Sequence, residues 1–412
     1  MPDADLPLRA CGAASISEAM QVAILDPSLF TLPFDIHFAR ALAAEGAGTM
    51  LIGRPLRGYE EIVEEGFAFH PLFYRWSEGG EDWRSSGWRR GLKGVEHLFG
   101  HFALARLLGR EGVRILHVQW LMLPLLDLPF LRRMRRHAGL FLTVHNAELT
   151  AHSLGALVGP LGAIVQAAGR GRLLDLFDGF VVHTEKTRAT IAALGIEEAR
   201  IRLLPHPPLE VGKDEGGAAE EDPEGRVEIL FFGTIKPYKG VDLLIEAGLR
   251  LAGRRRDFRI RIAGRPFLDL APLRARIAAA GAEDCFAFEL GYLPDERLSA
   301  LLARADLVVF PYREIDGSGA LALAASHGRP ILASRVGVFA EAPVADRIHL
   351  VPPDDVETLS RALEHLIAVP EARAALAASC RDLASHLGDW RGYARACLEF
   401  YRAGTGDRIR FS

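Results

Sequence analysis

Two lysines behind a strand-ending glycine are the residues of this chain whose types and spacing point most directly to chemistry. In Ile229–Leu244 (ILFFGTIKPYKGVDLL) an apolar run reads as a buried parallel strand, and Gly233 breaks it. Lys236 and Lys239 occupy the short loop that follows, and a helical pattern opens near Gly240. Glycine lets the backbone approach a ligand closely, and the free amides of a helix start favour anions. Ammonium groups beside such a turn add compact charges suited to phosphate. The chemistry expected here is the holding of a phosphorylated ligand. The loop is not a Walker A motif, because the G-x-x-x-x-G-K-[ST] spacing is absent. Taken alone, the stretch reads equally well as a plain strand-loop-helix with solvated lysines.

The surrounding elements say what positions this loop. A length of 412 residues favours two domains. Residues 1–19 read as a loose tail. From residue 20 to 206 short apolar runs alternate with helical patterns: strands at 20–25, 48–52, 115–119, 140–145 and 180–183, with helices at 36–44, 128–136 and from Thr187. Residues 207–226 are rich in Pro, Gly, Asp and Glu and read as a linker. The alternation restarts over 227–385, and a final helix within 386–412 carries aromatic residues on one face, suited to packing back across the first domain. This pattern predicts an α/β chain of two doubly wound, Rossmann-like domains facing across a cleft. Ligands in such sheets bind beyond the carboxyl ends of the strands, so the cleft is the expected site.

Composition narrows the class. A net charge of −4 gives no electrostatic case for nucleic acid. The four cysteines are scattered without a C-x-x-C, against a zinc site or a disulfide framework. Neither a signal peptide nor a bilayer-length apolar run is evident, so a cytoplasmic location is expected, with the inner face of the membrane as a variant. Trp83, Trp88, Arg89, Arg90, Lys93, Leu98 and Phe99 put aromatic and basic residues together. They read either as a contact with an anionic membrane surface or as a solvated insertion over the cleft.

An ordered series of segments now acquires a meaning. Phe232-Gly233 with Lys239–Leu244, Ile262-Ala-Gly264, Leu290–Leu298, Ala305–Tyr312, Gly319, His327–Ser334, Val336–Glu341 and Val351–Asp355 together resemble the donor domain of GT-B nucleotide-sugar glycosyltransferases, nearest to family 4. The first half resembles that family more loosely, through Thr143-Val-His145-Asn, His117–Trp120 and Pro205-His206-Pro207. The resemblance implies a GT-B fold and transfer of a sugar from a UDP- or GDP-linked donor to a glycan or lipid-linked acceptor, in exopolysaccharide or cell-surface glycan synthesis. It implies no metal and no other cofactor. Donor-binding residues would be Gly233, Thr234, Lys236, Lys239, Gly264, Gly291, Tyr292, Leu293, Pro311, Asp316, Gly317, Ser318, Gly319 and Ala320. His145, Asp35 and Glu148 are the candidates for the base that activates the acceptor hydroxyl. Helix capping or a solvated loop would also account for Asp35 and Glu148.

Two departures stand out. Thr234 occupies the place where the family has an arginine on the donor diphosphate, leaving Lys236 and Lys239 to supply the charge. The paired glutamates of retaining members fall on Ile315 and Leu323, which carry neither charge nor hydrogen-bonding groups. Stereochemistry is therefore open, with a lean to inversion, and a non-catalytic sugar-nucleotide-binding partner is the alternative.

Overall fold

The structure is a computed structural model that describes residues 20–58, 60–77, 87–145, 173–209 and 225–406, with the side chains of 87–91 omitted. The expected tail, Trp83, Glu148 and most of the linker lie outside these residues.

The first domain is built on seven strands: β1 (Gln21–Leu25), β2 (Gly48–Gly53), β3 (Phe67–Pro71), β4 (Ile115–Val118), β5 (Gly139–Val144), β6 (Gly179–Val182) and β7 (Ile201–Leu203). They pair in parallel in the order β3-β2-β1-β4-β5-β6-β7. Successive side chains of a strand face opposite sides. Val22 and Ile24 accordingly enter one core cluster, while Ala23 and Leu25 enter the other. The second domain has six parallel strands: β8 (Val227–Phe232), β9 (Phe258–Gly264), β10 (Phe286–Leu290), β11 (Leu307–Phe310), β12 (Ile331–Ser334) and β13 (His349–Val351), in the order β10-β9-β8-β11-β12-β13. Strand order reverses between β1 and β4 in one sheet and between β8 and β11 in the other. Crevices open at such switch points, so Asp26, Gln119, Gly233 and Pro311 stand at the ends of the strands that matter.

Several elements escape the sequence pattern. β3 ends in Pro71, a residue an edge strand tolerates because its outer side needs no N–H. β7 and β13 are three residues each, too short to show a period. Helix Pro370–Leu387 buries only Cys380, Leu383 and Leu387, so its apolar stripe is thin. Helix Gly87–Arg110 falls in a stretch read as a membrane contact or a solvated insertion over the cleft.

The C-terminal helix Trp390–Thr405 lies on the first domain against helix Leu32–Ala44. Glycines at the starts of two strands make room for it. A Cβ at Gly139 would stand 2.4 Å from Thr405 Cγ2, and one at Gly179 would stand 2.5 Å from Phe400 Cζ. Trp390 Nε1 donates to Pro208 O at 2.7 Å, and Tyr401 hydrogen-bonds His117 inside the core. Arg391 and Arg395 both reach Glu45.

Candidate active site

Gly233 and Gly264 end neighbouring strands with φ of 101° and 134°, a region that L side chains rarely adopt. A Cβ on Gly264 would lie 1.9 Å from Gly233 O, so the two loops touch through bare backbone. The next turn, Pro237–Lys239, folds the lysine inward. Lys239 is only 8% exposed, and its Nζ lies 5.3 Å from the centre of the Tyr312 ring. Burial, reinforced by Lys236, pushes its pKa down to about 8. Among the described residues it has no carboxylate partner. Burying an unpaired ammonium is costly, and an arriving anion would relieve that cost.

The rest of the loop is braced. Arg313 donates to both carboxylate oxygens of Asp242 at 2.9 and 2.7 Å, to Asp354 at 2.7 Å and to Pro237 O at 2.9 Å. Ile235 N–H donates to Arg265 O at 2.8 Å and Phe267 N–H donates to Ile235 O at 2.8 Å, which ties the β8 loop to the β9 loop. Lys236 Nζ and the Arg265 guanidinium lie 5.7 and 5.6 Å from the centre of the Phe267 ring. Arg265 thus brings a charge to the strand edge where Thr234, exposed, brings none. The sequence reading passed over both Arg265 and Arg313. An arginine directly after a strand-end glycine was the available signal for the first.

The second anion-suited element is the turn Asp316–Gly319 at the head of helix Gly319–Ser326. Ser318 caps this helix, its Oγ accepting Leu321 N–H at 3.2 Å. Ala320 lies in its first turn, and Pro311 is buried at the end of β11 beside Gly240, where a Cβ would meet Pro311 O at 1.9 Å. Asp316 is spent on an ion pair with Lys186 of the first domain at 2.8 Å. Leu323 is part of the second-domain core, and Ile315 packs against it. Apolar residues stand there because the fold uses those positions for packing. Gly291 (φ 133°), Tyr292 and Leu293 form the β10 loop. Tyr292 is exposed, and its phenol pKa is raised by burial first and then by Asp295 and by Glu60 of the opposite domain.

Across the cleft, the ends of the first-domain strands present histidines. His145 Nε2–H donates to Gln119 Oε1 at 2.8 Å, and the imidazole stacks on Trp120 at 5.3 Å. His183 lies 5.3 Å from His145 and 5.5 Å from His206, centre to centre, and Phe34 stands edge-on to all three. Burial pushes every one of these imidazoles down, to about 3 for His183 and about 4 for His206, and His145 well below its ordinary value. They are neutral bases at physiological pH. His117 faces inward to Thr143 Oγ1 at 2.6 Å and serves the core. His183 Nδ1–H donates to Leu204 O, and its buried Nε2 has no hydrogen-bond partner among the described residues. A cavity of about 140 Å³ lies there between the domains, lined by His183, His206, Ser318 and Glu341 among others.

The domains meet around this cavity. A Cβ on Gly319 would stand 3.4 Å from His206 Nε2, and one on Gly317 would stand 3.9 Å from His145 O. The Glu341 carboxylate accepts the N–H groups of Glu185 and Lys186 at 2.8 and 2.9 Å, across the divide.

Asp35 does not fit the role of base. It is fully buried in the first turn of helix Leu32–Ala44, where Thr31 Oγ1 bridges it to Asp26. Burial, with the Asp26 charge next, holds its pKa well above the carboxylate range, and Asp26 itself is raised to about 6. Fully enclosed, the carboxyl also stands out of reach of an acceptor hydroxyl in the cleft. Away from the cleft, Asp127 Oδ1 accepts from His97 Nε2 at 2.5 Å and His101 Nε2 at 2.8 Å, while Tyr74 OH meets His97 Nδ1 at 2.7 Å. Among the described residues, His97, His101 and Asp127 bring metal-competent atoms within 4.8 Å of one another.

Two facing parallel-sheet domains with this loop set agree with what known proteins show. Residues 226–368 match the family described as glycosyl transferases group 1, and residues 37–207 match the glycosyl transferase 4-like domain. The chain belongs to the GT-B glycosyltransferases, family 4-like. Over 106 residues it is 35% identical to the GDP-mannose:glycolipid 4-beta-D-mannosyltransferase of Xanthomonas campestris pv. campestris, covering 26% of this chain and 29% of that protein. Over 288 residues it is 29% identical to the D-inositol 3-phosphate glycosyltransferase of Mycobacterium tuberculosis, covering 63% of this chain and 57% of that one. The matches therefore span less than two thirds of either relative. Sucrose-phosphate synthase from Thermosynechococcus elongatus shares the fold, with a TM-score of 0.70 at 18% identity over 93% of this chain and 98% of that one. The lysine loop lies in the second domain and the histidine cluster in the first.

Proposed function

We propose that this chain transfers a hexose from a nucleoside-diphosphate sugar to a lipid-linked glycan acceptor, with inversion and without a divalent metal, in the building of a cell-surface glycan. The observation that carries the reading is Lys239: a buried ammonium, without a carboxylate partner among the described residues, at the strand switch point of the donor half. A donor diphosphate supplies the charge that this position lacks. Lys236, Arg265, Ser318 and the amides at Gly319 and Ala320 extend the same electropositive edge, in place of the cation that many diphosphate sites employ.

The reaction follows from the opposed faces. The acceptor hydroxyl gives its proton to the His145 imidazole, whose Nε2–H is already committed to Gln119, so the lone pair on Nδ1 is the one that accepts. The oxygen attacks the anomeric carbon from the side opposite the diphosphate. The carbon–oxygen bond to the diphosphate breaks, and the released negative charge falls to Lys239 and its neighbours. Retention would call for carboxylates where Ile315 and Leu323 stand. The Xanthomonas relative is named for making a β-mannoside from GDP-mannose, whose mannose is α-linked, and that conversion is an inversion. GDP-mannose is accordingly the first donor to test.

The test is a donor panel of GDP- and UDP-sugars, incubated with short lipid-linked glycans, with nucleotide release and the product's anomeric proton both read. Release of GDP or UDP with formation of the inverted linkage is expected, unchanged by EDTA. Donor binding with no release under any acceptor would instead favour the non-catalytic partner that the apolar Ile315 and Leu323 allow.

A further inference from the structure

We infer that His97, His101 and Asp127 form a structural site for a divalent metal of the zinc class, buried between helix Gly87–Arg110 and helix Pro124–Met134. His97 and His101 stand four positions apart on one helix, so their rings share a face. The same H-x-x-x-H spacing presents paired imidazoles to zinc on other helices, where a further element completes the ligand set. Here the completing ligand is Asp127, from the first turn of the neighbouring helix. The sequence reading sought zinc in cysteine spacing and passed over this pair.

The geometry is close to that of a loaded site. Both rings aim Nε2 at one oxygen, Asp127 Oδ1, at 2.5 and 2.8 Å. Bonds of about 2.1 Å put the ligand atoms of a tetrahedral zinc roughly 3.4 Å apart. The carboxylate therefore has to withdraw by less than about 1 Å to admit an ion, a small turn of one side chain.

Two observations point to a metal. The first is charge. Asp127 is 3% exposed, and among the described residues no lysine or arginine pairs with it. Phe130 stacks on His101 at 4.8 Å and Phe73 stands edge-on to it at 5.4 Å, so the carboxylate lies in an apolar enclosure. A buried charge is costly there, and a divalent ion neutralises it outright. The second is Tyr74. It is buried with φ at 47°, a strained conformation for an aromatic residue. That conformation sets its hydroxyl 2.7 Å from His97 Nδ1. Metal-bound imidazoles donate their second N–H to such an oxygen, which fixes the ring. A phenol oxygen accepts as well as donates, so it can serve His97 once Nε2 is given to a metal.

The enclosure makes the ion a staple. Asp127 Oδ2 also accepts Leu123 N–H at 3.1 Å, which ties in the segment after Trp120, the ring that stacks on His145. Lys93, grouped by sequence with a membrane contact, is turned inward here, its Nζ 4.5 Å from the centre of the Tyr74 ring. Transfer has no need of this ion, which sits outside the cleft, so the two readings stand or fall separately.

Metal content tests the site without any transfer assay. Full-length chain made in zinc-supplemented medium and passed through a chelator-containing column should carry about one zinc ion, measured by plasma mass spectrometry. Chain made with cobalt should show the visible absorption of tetrahedral Co(II). The zinc form should melt about 5 °C above the metal-free form. His101→Gln and Asp127→Asn should each lower metal content at least about tenfold, and Tyr74→Phe should weaken affinity by about tenfold. Wild-type chain free of metal from both media would overturn the proposal, leaving an imidazolium to balance Asp127. So would full zinc content in the His101→Gln/Asp127→Asn double variant. Should those variants fail to fold, the wild-type cobalt spectrum decides alone, and an octahedral spectrum overturns the site. A zinc-loaded chain that transfers no sugar would sink the enzymatic reading and leave this one standing.

Discussion

Lys239 Nζ lies over the Tyr312 ring, 5.3 Å from its centre, and close under Gly233. The ring faces the ammonium with π-electron density, a weak substitute for an anion. The side chain is thus held in place before any donor arrives.

A pH dependence follows for the donor. With its pKa at about 8, Lys239 loses its proton as pH rises through that value. Nucleotide affinity should therefore fall above pH 8, by up to about tenfold per pH unit. Titration calorimetry with GDP and UDP between pH 7 and 9.5 checks this. Lys239→Met should lower transfer by at least about a hundredfold, abolish that pH dependence and leave the melting temperature unchanged or raised. Near-normal transfer in this variant would remove the lysine from the site.

Acid should loosen the fold through the histidines. Unfolded imidazoles take protons near pH 6.5, whereas His183 and His206 resist until about 3 and 4. Between those values the unfolded chain binds more protons, so their contribution to stability is full above pH 6.5 and declines as pH falls. Each contributes at most about 1.4 kcal/mol per pH unit. Melting curves from pH 7.5 to 4.5 should show this slope, reduced in His183→Gln and His206→Gln.

Asp35 works in the opposite sense. Its folded pKa is raised, so the stability it contributes is present at low pH and lost as pH climbs. Asp35→Asn should stabilise the protein at pH 8 by about 1 kcal/mol, with the gain disappearing toward pH 4. Urea titrations at the two pH values measure it. Transfer should persist within about threefold, and a loss of a hundredfold or more would return Asp35 to the role of base.

Glu341 joins the halves by accepting the Glu185 and Lys186 amides. Glu341→Ala removes that tie and should raise the KM for acceptor more than it lowers kcat, by about three- to tenfold, with a larger radius of gyration in solution scattering. An unchanged KM and radius would show that the Lys186–Asp316 pair holds the halves on its own.

What was legible in the sequence was whatever is local. The glycine-lysine loop and helix Val241–Ala252 follow from contiguous residues, and helix 241–252 begins and ends where its apolar period does. The brace of Arg313 on Asp242 spans 71 positions and the Lys186–Asp316 pair spans 130, so no window along the chain contains either. Asp35 misled for the same reason. Its place near the first strand is visible in sequence, but its burial against Asp26 depends on tertiary packing. The outward stripe of Val95, Phe99 and Phe102 has the spacing of an ordinary core face, and only the fold shows that nothing described covers it.

Helix Trp390–Thr405 also determines when the first domain can close. Trp390, Tyr393 and Tyr401 belong to the same core cluster as Val22 and Phe38, near the other end of the chain. On the ribosome, the first domain waits with Gly139 and Gly179 uncovered until helix Trp390–Thr405 emerges. The second domain, whose core spans 229–387, is complete before then. Of the two domains, the first therefore closes later.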